Sequence, residues 1–467
     1  MFKHEETWPG NTHVHLPHTT AHAAITLGEF AAGLKASDIP EDVRTRARDT
    51  LIDTVAASVF GHQALAGEII TKHVASLGSG PCAVMGASGL RVRSEDAALA
   101  NGTLAHALEI DSLRKPGAGV HPGAVLVSAA LAVAQESGGS GADVITAIIA
   151  GCEVLFRIGR ATKHTAEARG FHAPGLTGPF GAAITAGRLL GLDAGQMANA
   201  LGIAGSLGGG LLQFAVQGEG GMVKRLHLGR GAAAGITAAK LAKAGFTGPS
   251  SVLEGEMGFL SSYCASHDAH LLTEGFGEQW ETRRVCFKRY ACHITAHTPV
   301  QAVSDLMAEH GFSGRDVLNV LVEGTPKMAD MHGNHAPADN VAAQYSIAFC
   351  VAAALFHDPH DPHTFTGRAL ADPAVMALAL QVHVRGSGGF HSSWQTRTTI
   401  RLRDGREFSA SLDDVPGMPR LPFTAAQMRE KFLTLVGENA APIFERLMQI
   451  ETETDLGWLD GVSHGLA

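Results

Sequence analysis

The stretch from Asn101 to Ala124, NGTLAHALEIDSLRKPGAGVHPGA, places several titratable side chains between segments whose alanine-rich composition is typical of buried helices. Its periodicity predicts a helix that continues to about residue 113, with His106 and Glu109 stacked three residues apart on one face. The titratable residues of this stretch are His106, Glu109, Asp111, Arg114, Lys115 and His121. So many ionisable groups beside a core require a structural or chemical reason.

Proline and glycine residues end this predicted helix and begin the next one. Pro116, Gly117 and Gly119 interrupt helical structure, whereas Pro122 suits a first helical turn. The free backbone N–H groups of that turn can bind an anion. An acid, a base and an anion-binding helix start are therefore expected together. A solvated loop after a polar helix end is the simpler interpretation from composition alone.

Length and composition limit the class of protein. A chain of 467 residues is too long for one ordinary domain, so we expect two. Apolar residues make up 45% and charged residues 17%, with 56 glycines, which indicates a compact protein whose helices approach closely at small residues. The chain has a net charge of −9 and no long run of basic residues, which argues against a nucleic-acid-binding surface.

The cysteines and the N-terminus predict the compartment. Six cysteines are scattered without a C-x-x-C pair, which favours reduced core thiols and a cytoplasmic location. Residues 1–20 begin with charges, prolines and histidines, so we expect a loosely ordered arm rather than a signal peptide. The longest apolar runs are shorter than the roughly 20 residues that a membrane-spanning helix needs.

The pattern predicts a mainly α protein with a discontinuous helical domain and a smaller α+β lid domain. Helical periodicity dominates to about residue 270, with helices predicted at 122–136, 142–159 and from Asp193 to residue 207. Beyond Trp280 we expect strands at 317–324 and 378–386, a hairpin at 396–412, and helices at 298–310 and about 340–356. Thr424 caps a terminal helix at 425–436. The predicted domains are 1–280 with 413–467, and 281–412.

Two suggestive motifs are better explained without a cofactor. The glycine-rich segment 229–235 follows no strand and lacks the spacing G-x-G-x-x-G, so a dinucleotide site is not expected. The segment HDPHDPH at 357–363 contains two prolines and follows a helix, which favours an exposed loop over a metal site. We therefore predict neither a metal nor a cofactor.

Three further segments place lysines and histidines near helix starts. These are GFHAPGLTGPFGAA at 170–183, GEGGMVKRLHLGRGAAAG at 218–235 and FKRYACHITAH at 287–297. Each alone is weak, because a histidine at a helix start is often only a cap. Together with 101–124, they form four polar segments that could converge on a cleft rich in cations, suited to a polyanionic acid.

These segments, in this order, resemble the MmgE/PrpD family, whose members include 2-methylcitrate dehydratase, cis-aconitate decarboxylase and iminodisuccinate epimerase. The resemblance extends from about residue 25 to 450. It implies a helical domain built from both chain ends, an α+β lid, a homodimer and metal-free chemistry between the domains. The shared chemistry removes a proton or CO₂ beside a carboxylate.

The resemblance and the polar segments together give the candidate site residues. The catalytic candidates are Glu109, Asp111, His121, His172 and Lys224. The candidates for substrate binding are His106, Lys288, Tyr290, His293 and Tyr345. We expect Lys224 and His121 to serve the substrate and contribute little to the fold, because both are predicted at polar turns that flank helices.

Two departures from the family pattern affect the predicted reaction. Glu109 stands where the family commonly has Asp, and Phe349 stands where the decarboxylase branch has a tyrosine. Tyr345 precedes Phe349 by four residues and is expected on the same helical face. We therefore expect dehydration of a small di- or tricarboxylic acid first and epimerisation second. Cis-aconitate-like decarboxylation remains a further alternative, and a binding protein without turnover is a less favoured one.

Overall fold

The computed structural model describes residues 22–117, 119–215, 221–390, 392 and 394–463. The predicted N-terminal arm lies outside these residues. Within them, no helix is long and apolar enough to cross a membrane.

Helices dominate the described residues up to about residue 270, as predicted. The α-helices described here are α1 (Ala23–Gly33), α2 (Glu41–Gly61), α3 (Leu65–Ala75), α4 (Ser94–Ala105), α5 (Ser128–Ser137), α6 (Gly141–Ala161), α7 (Ala173–Leu189), α8 (Ala194–Ala204), α9 (Val223–Lys243) and α10 (Phe259–Tyr263). A π-helical turn, Gly123–Val127, leads into α5. Short two-residue strands, β1 (Cys82–Ala83) with β2 (Arg91–Val92), pair antiparallel.

Local sequence explains where two of these helices begin. Ser140 and Asp143 form a reciprocal capping box at the start of α6, and Asp193 and Gln196 form another at the start of α8. The second box confirms the predicted start, although α8 ends at Ala204, short of the predicted residue 207. The predicted helices at 122–136 and 142–159 are also confirmed within a few residues.

Glycine allows α4, α7 and α9 to pack closely around the later site. A Cβ on Gly229 of α9 would lie 2.1 Å from the Leu99 carbonyl oxygen of α4. A Cβ on Gly235 would lie 2.3 Å from the Cβ of Ala182 on α7. The predicted close approach of helices at small residues is therefore confirmed at this contact, which brings the first turn of α9 beside the end of α4.

The second half contains the principal sheet of the described chain. Its α-helices are α11 (His297–His310), α12 (Pro326–His332), α13 (Asn340–Tyr345), α14 (Ile347–Phe356), α15 (Gly367–Leu370) and α16 (Pro373–Ala379). Its strands are β5 (Val317–Gly324), β6 (Val382–Gly386), β7 (Thr396–Leu402) and β8 (Glu407–Leu412), in the order β6-β5-β7-β8. The strand β6 is parallel to β5, and the other neighbours are antiparallel. The predicted hairpin is confirmed, with Gly405 at φ 95° in its turn.

The chain then returns to helix and packs on the first half. Thr424 and Gln427 form a capping box before α17 (Ala425–Val436), as predicted for Thr424, and α18 (Ala441–Met448) follows. Lys431 of α17 donates to Asp53 of α2 at 2.5 Å, and these two helices pack together. The mainly α fold with a smaller α+β region is confirmed, whereas the exact domain boundaries stay a prediction.

Tertiary contacts change three predicted elements. The helix expected up to residue 113 ends at Ala105, and Glu109 has φ 57°, outside the helical region. The helix expected over 340–356 is divided at Ser346, whose extended backbone lets its hydroxyl accept from the Phe349 N–H. The strand expected at 378–386 is confined to β6, because α16 continues to Ala379 behind its Asp372 cap.

Candidate active site

The segment after α4 is held by contacts with the second half of the chain. Residues Leu113–Arg114 form β3, which pairs antiparallel with β4 (Val285–Cys286). Arg114 donates to the Glu281 carboxylate at 2.6 and 2.8 Å. With these contacts, the chain after α4 forms a turn and a strand instead of the predicted helix, and the Glu109 side chain reaches α9.

Glu109 lies at the centre of a buried group of cations, which we call the Glu109 cluster (Glu109, Lys224, Arg225 and Lys288). Its Oε1 contacts Lys224 Nζ and accepts from Arg225 at 2.5 Å, and its Oε2 accepts from Lys288 at 2.8 Å. Glu109 is 1% exposed, and Lys224 and Lys288 are each 2% exposed. One carboxylate therefore partners three cations, so this cluster carries excess positive charge.

The two lysines have unused donors, and Arg225 uses three of its five N–H donors. Arg225 also donates to the His106 carbonyl and to Gln344 Oε1, at 3.1 and 3.0 Å. Among described residues, each lysine ammonium has Glu109 as its hydrogen-bonding or ion-pair partner. An ammonium carries three N–H donors. Lys224 and Lys288 can therefore each bind another anion.

Burial controls the protonation of these lysines. Burial, together with the adjacent Arg225 and Lys288, holds the pKa of Lys224 well below its ordinary value. Burial also lowers the pKa of Lys288, while Asp111 opposes that shift. Contact with Glu109 favours the charged form of both lysines. A second anion would stabilise that form further, which makes these two lysines a carboxylate-binding pair.

Asp111 lies between two imidazoles, and we call this group the Asp111 triad (His106, Asp111 and His121). Its Oδ1 lies 2.9 Å from His106 Nδ1, and its Oδ2 lies 2.8 Å from His121 Nδ1. Burial opposes ionisation of Asp111, but His106 and His121 hold its pKa well below the usual range. Burial lowers the pKa of His106. Two ring N–H donors therefore stabilise a permanent carboxylate.

This geometry defines which nitrogen of His121 can act as a base. Because Nδ1 donates to Asp111, the neutral ring leaves its Nε2 lone pair free. His121 is partly exposed, whereas His106 and Asp111 are fully buried. Ligand atoms of the triad lie within 4.8 Å of one another, a spacing that could also hold a cation. A cation bound at the two Nδ1 atoms would require loss of the protons that these atoms share with Asp111.

A second pair of histidines joins α7 to α9. The Nδ1 atoms of His172 and His227 lie 2.9 Å apart. Burial is the main reason that the pKa of each is lowered, and His106, His121 and Arg225 also act on His172. His227 follows Lys224 by three residues on α9, which places this histidine pair beside the Glu109 cluster.

Aromatic rings from the second half close the site. His293 stacks on His332 with ring centroids 4.3 Å apart, and it contacts Tyr345 at 4.6 Å. Lys224 Nζ lies 4.9 Å from the centre of the Tyr345 ring. Lys224 and Lys288 both lower the pKa of His293, after burial and His332. His293 and Tyr345 are therefore placed against the cationic side of the site.

The structure brings together nine of the ten residues that the sequence predicted. The exception is Tyr290, whose hydroxyl donates to Gln301 at 2.6 Å and whose ring packs on His297 and Phe365. Phe349 is fully buried in α14. The predicted shared helical face of Tyr345 and Phe349 is wrong, because the break at Ser346 places them on different helices.

Sequence reasoning missed three residues of the site, namely Arg225, His332 and Gln344, whereas His227 lies in the polar segment 218–235 that it singled out. The Gln344 amide donates to the Leu108 and Ala291 carbonyls at 2.9 Å, so it joins the two halves beside Glu109. A polar residue within the apolar segment 341–356 was the available signal. The expectation that Lys224 lies at a polar turn is also wrong, because it lies in α9 and partners Glu109.

A buried set of paired acids, bases and cations, contributed by distant segments, is typical of an enzyme active site. The fold and this site therefore define a mainly helical enzyme. Comparison with models of protein families identifies the family of this chain. The model of the MmgE/PrpD N-terminal domain matches residues 25–272, and that of the MmgE/PrpD C-terminal domain matches residues 290–456. The chain belongs to the MmgE/PrpD family.

Curated relatives match along most of the chain. A cis-aconitate decarboxylase-like protein of Aspergillus oryzae is 29% identical, covering 93% of this chain and 95% of that protein. The cis-aconitate decarboxylase of Aspergillus terreus is 28% identical, over 87% of this chain and 88% of its own length. The human cis-aconitate decarboxylase is 26% identical, over 86% and 85%. Two of these relatives are named cis-aconitate decarboxylases, and the other is named as similar to them.

Proposed function

We propose that this protein is a metal-independent lyase that acts on a small di- or tricarboxylic acid, with decarboxylation of a cis-aconitate-like acid as the leading reaction. The observation that carries this proposal is the pair Lys224 and Lys288, which share Glu109 and retain unused N–H donors in a buried site. Two ammonium groups on opposite oxygens of one carboxylate can each hold one substrate carboxylate.

The cations have a direct effect on the chemical step. When the bond to the leaving carboxyl group breaks, CO₂ departs and its electron pair remains on the substrate carbon. The charge spreads into the neighbouring double bond and carboxylate. Fixed donors in a water-poor site stabilise such developing charge, and each is worth about 2.7–4 kcal/mol. A proton then bonds to the carbon and completes the reaction.

Two groups in the site can transfer that proton. His121 Nε2 is oriented by the bond from Nδ1 to Asp111, and His172 lies at the start of α7. General acid or base catalysis by such a residue contributes about 10²–10⁴-fold. Dehydration is the second candidate reaction, because these two histidines could remove a proton and protonate a leaving hydroxyl. Epimerisation by proton exchange is the third.

The relatives change the order of reactions expected from the sequence. The matches described above carry decarboxylase names, which favours CO₂ loss over water loss. The argument against decarboxylation used two departures, Glu109 in place of Asp and the absence of a phenol at position 349. Tyr345 supplies a phenol ring beside Lys224, so the second part of that argument loses its force.

Proton NMR of the purified protein with separate acids in D₂O tests the proposal. The panel contains cis-aconitate, 2-methylcitrate and iminodisuccinate. Loss of a carboxyl group from cis-aconitate is the expected result. Loss of water from 2-methylcitrate alone would favour dehydration, and deuterium exchange without a new product would favour epimerisation. Absence of change in every acid would contradict the enzyme proposal. Prior dialysis against EDTA should not reduce the rate.

Further properties remain proposals from the family resemblance and composition. We propose a homodimer, which sedimentation would detect as a species of twice 48.6 kDa. We also propose the division into 1–280 with 413–467, and 281–412. All six cysteines are unpaired and buried, which favours a reducing compartment such as the cytoplasm.

A further inference from the structure

One side-chain amide connects the segments that form the Glu109 cluster. Gln344 lies near the end of α13 and is 1% exposed. Its Oε1 accepts from Arg225 at 3.0 Å, and its Nε2 donates to the Leu108 and Ala291 carbonyls at 2.9 Å each. The amide therefore uses its oxygen and both of its N–H donors.

Each of these three bonds reaches a segment that carries a member of the cluster. Leu108 immediately precedes Glu109, and Ala291 follows Lys288 by three residues. The third partner, Arg225, belongs to the cluster and also donates to Glu109. Because these segments are distant in the chain, only tertiary contacts such as these bonds can set their relative positions.

The partners of the amide define its orientation. In the opposite orientation, the NH₂ group would face the N–H of Arg225, and the oxygen would face the Leu108 and Ala291 carbonyls. Both contacts would be repulsive in a buried position. Gln344 therefore has one orientation that satisfies every group around it.

The backbone of α13 gives this amide a fixed support. The Gln344 carbonyl accepts from the His293 N–H at 2.8 Å. At the other end of α13, the Asp339 side chain accepts from the Ala342 N–H at 2.8 Å and caps the helix. A side chain anchored through its own backbone can hold the residues that it contacts in position.

Glu109 can hold the cations together, but it does not by itself fix their spacing. Attraction between charges has little directional preference, and a lysine ammonium is a point charge on a flexible stem. Lys224 and Lys288 contact opposite oxygens of Glu109. The distance between the two ammonium groups consequently depends on how firmly the backbone segments that carry them are held.

We propose that Gln344 is a positioning residue that sets the spacing of Lys224 and Lys288, and thereby the length of the dicarboxylate that the site accepts. This inference rests on the proposed function, in which each lysine holds one substrate carboxylate. Displacement of a positioned group by about 1 Å can reduce the rate of reaction by about 10²-fold. A hydrogen-bonded amide that does not touch the substrate therefore determines which acid fits.

Calorimetric titration with malonate, succinate and glutarate tests this role, because each acid is one methylene longer than the previous one. The unmodified protein should bind one acid at least about 10-fold more tightly than the others, since a rigid site discriminates a single methylene. Gln344→Met keeps the length of the side chain but forms none of the three hydrogen bonds. Its preference should fall below about 3-fold, since a loosened site adapts to each length.

Gln135→Met provides the matched control. The Gln135 amide is also bonded on both sides, because its Oε1 accepts from the Ala83 N–H at 2.9 Å and its Nε2 donates to the Leu456 carbonyl at 3.0 Å. Gln135 lies in α5 and has no contact with the Glu109 cluster. This variant should lose thermal stability and keep the preference of the unmodified protein. Loss of stability alone therefore does not produce the expected result.

Gln344→Asn provides a second variant in case Gln344→Met does not fold. Its amide is one methylene shorter and cannot reach all three partners without moving them, so the preference should again fall. An unchanged preference in a folded Gln344 variant would overturn the positioning role. Equal binding of the three acids by the unmodified protein would also overturn it.

The same titration separates this inference from the proposed function. If the unmodified protein binds none of the three acids, the lysines are not a carboxylate-binding pair, which rejects the proposed function and this inference together. Binding with a preference that does not depend on Gln344 rejects the positioning role alone.

Discussion

His121 Nδ1 lies 2.8 Å from Asp111 Oδ2, inside a site where Asp111 is fully buried. The carboxylate cannot exchange this partner for water, so it fixes the tautomer of His121. A similar bond from His106 Nδ1 reaches Asp111 Oδ1, so both oxygens of this carboxylate are engaged by imidazoles. The orientation of His121 therefore depends on one residue.

Asp111→Asn should reduce kcat by about 10²–10⁴-fold, the range expected for loss of a general acid or base. The new amide NH₂ would donate to one of the two imidazoles, whose Nδ1 would then have to accept. Where that imidazole is His121, the ring proton lies on Nε2 and the base is lost. Steady-state kinetics on the acid identified by NMR would measure the effect. Asp38→Asn, at an exposed position, serves as the control. Equal kcat in both variants would show that Asp111 does not orient the base.

Lys224→Met should decrease kcat/KM by an amount equivalent to about 2.7–4 kcal/mol, the scale for one donor to developing charge. Its thermal stability should also fall, because Lys224 is buried against Glu109. Lys240→Met on the same helix removes a partly exposed lysine paired with Glu95 and Glu136, and should retain activity. A Lys224→Met variant that loses stability but keeps kcat/KM would identify a purely structural lysine.

Glu109→Gln should destabilise the protein by about 3–5 kcal/mol, because three buried cations lose their counter-ion. Malonate should raise the Tm of this variant more than that of the unmodified protein, since a bound carboxylate can replace the missing charge. Glu136→Gln is the control, because it removes an exposed partner of Lys240. Loss of this ion pair should lower the free energy of unfolding by about 0–1 kcal/mol. Equal Tm values and equal malonate responses would mean that Glu109 does not neutralise the cluster.

Stability should fall as the pH is lowered below about 6.5, in part because of His332. Burial lowers the pKa of His332 to about 4, whereas an unfolded histidine titrates near 6.5. Between these values the unfolded chain binds a proton that the folded protein does not, which favours unfolding by up to about 1.4 kcal/mol per pH unit.

His332→Asn isolates this contribution, because the amide can still donate to the Tyr345 carbonyl, which His332 Nδ1 contacts at 3.0 Å. Asp49 acts in the opposite direction, since burial raises its pKa to about 6. Unfolding in urea measures the free energy of unfolding of the unmodified protein and of His332→Asn. From pH 7 to 5, this free energy should fall more for the unmodified protein than for the variant. A difference that does not depend on pH would contradict a neutral His332.

Gly229→Ala should destabilise the protein by about 1–3 kcal/mol or more, because the new Cβ would lie 2.1 Å from the Leu99 carbonyl oxygen. Gly33→Ala offers the matched comparison at the end of α1, where an added Cβ meets nothing within 4 Å. That change should be neutral or stabilise by about 0.4–1 kcal/mol. Thermal unfolding of both variants measures the effect. Similar Tm values would show that the contact between α4 and α9 can relax.

The sequence predicted several elements because their signals are local. The capping boxes at Asp193 and Thr424 and the hairpin at Asp404-Gly405 depend on residues within a few positions of one another. Resemblance to the family also indicated nine residues that the structure brings together. Arg225 and Gln344 were missed because their roles depend on Glu109 and on the carbonyls of Leu108 and Ala291, far away in the chain.

By itself, the sequence determined the family, the mainly α fold and the polar segments that form the site, since periodicity, capping and motif order are properties of neighbouring residues. Tertiary structure alone decided that α4 ends at Ala105 and that Glu109 adopts φ 57°. It also decided the sharing of one carboxylate by Lys224, Arg225 and Lys288, and the 2.9 Å contact between His172 and His227. The physical reason is that buried charges and imidazole protons must find partners in space. Satisfying them outweighs a local helical preference that is worth less than about 1 kcal/mol per residue.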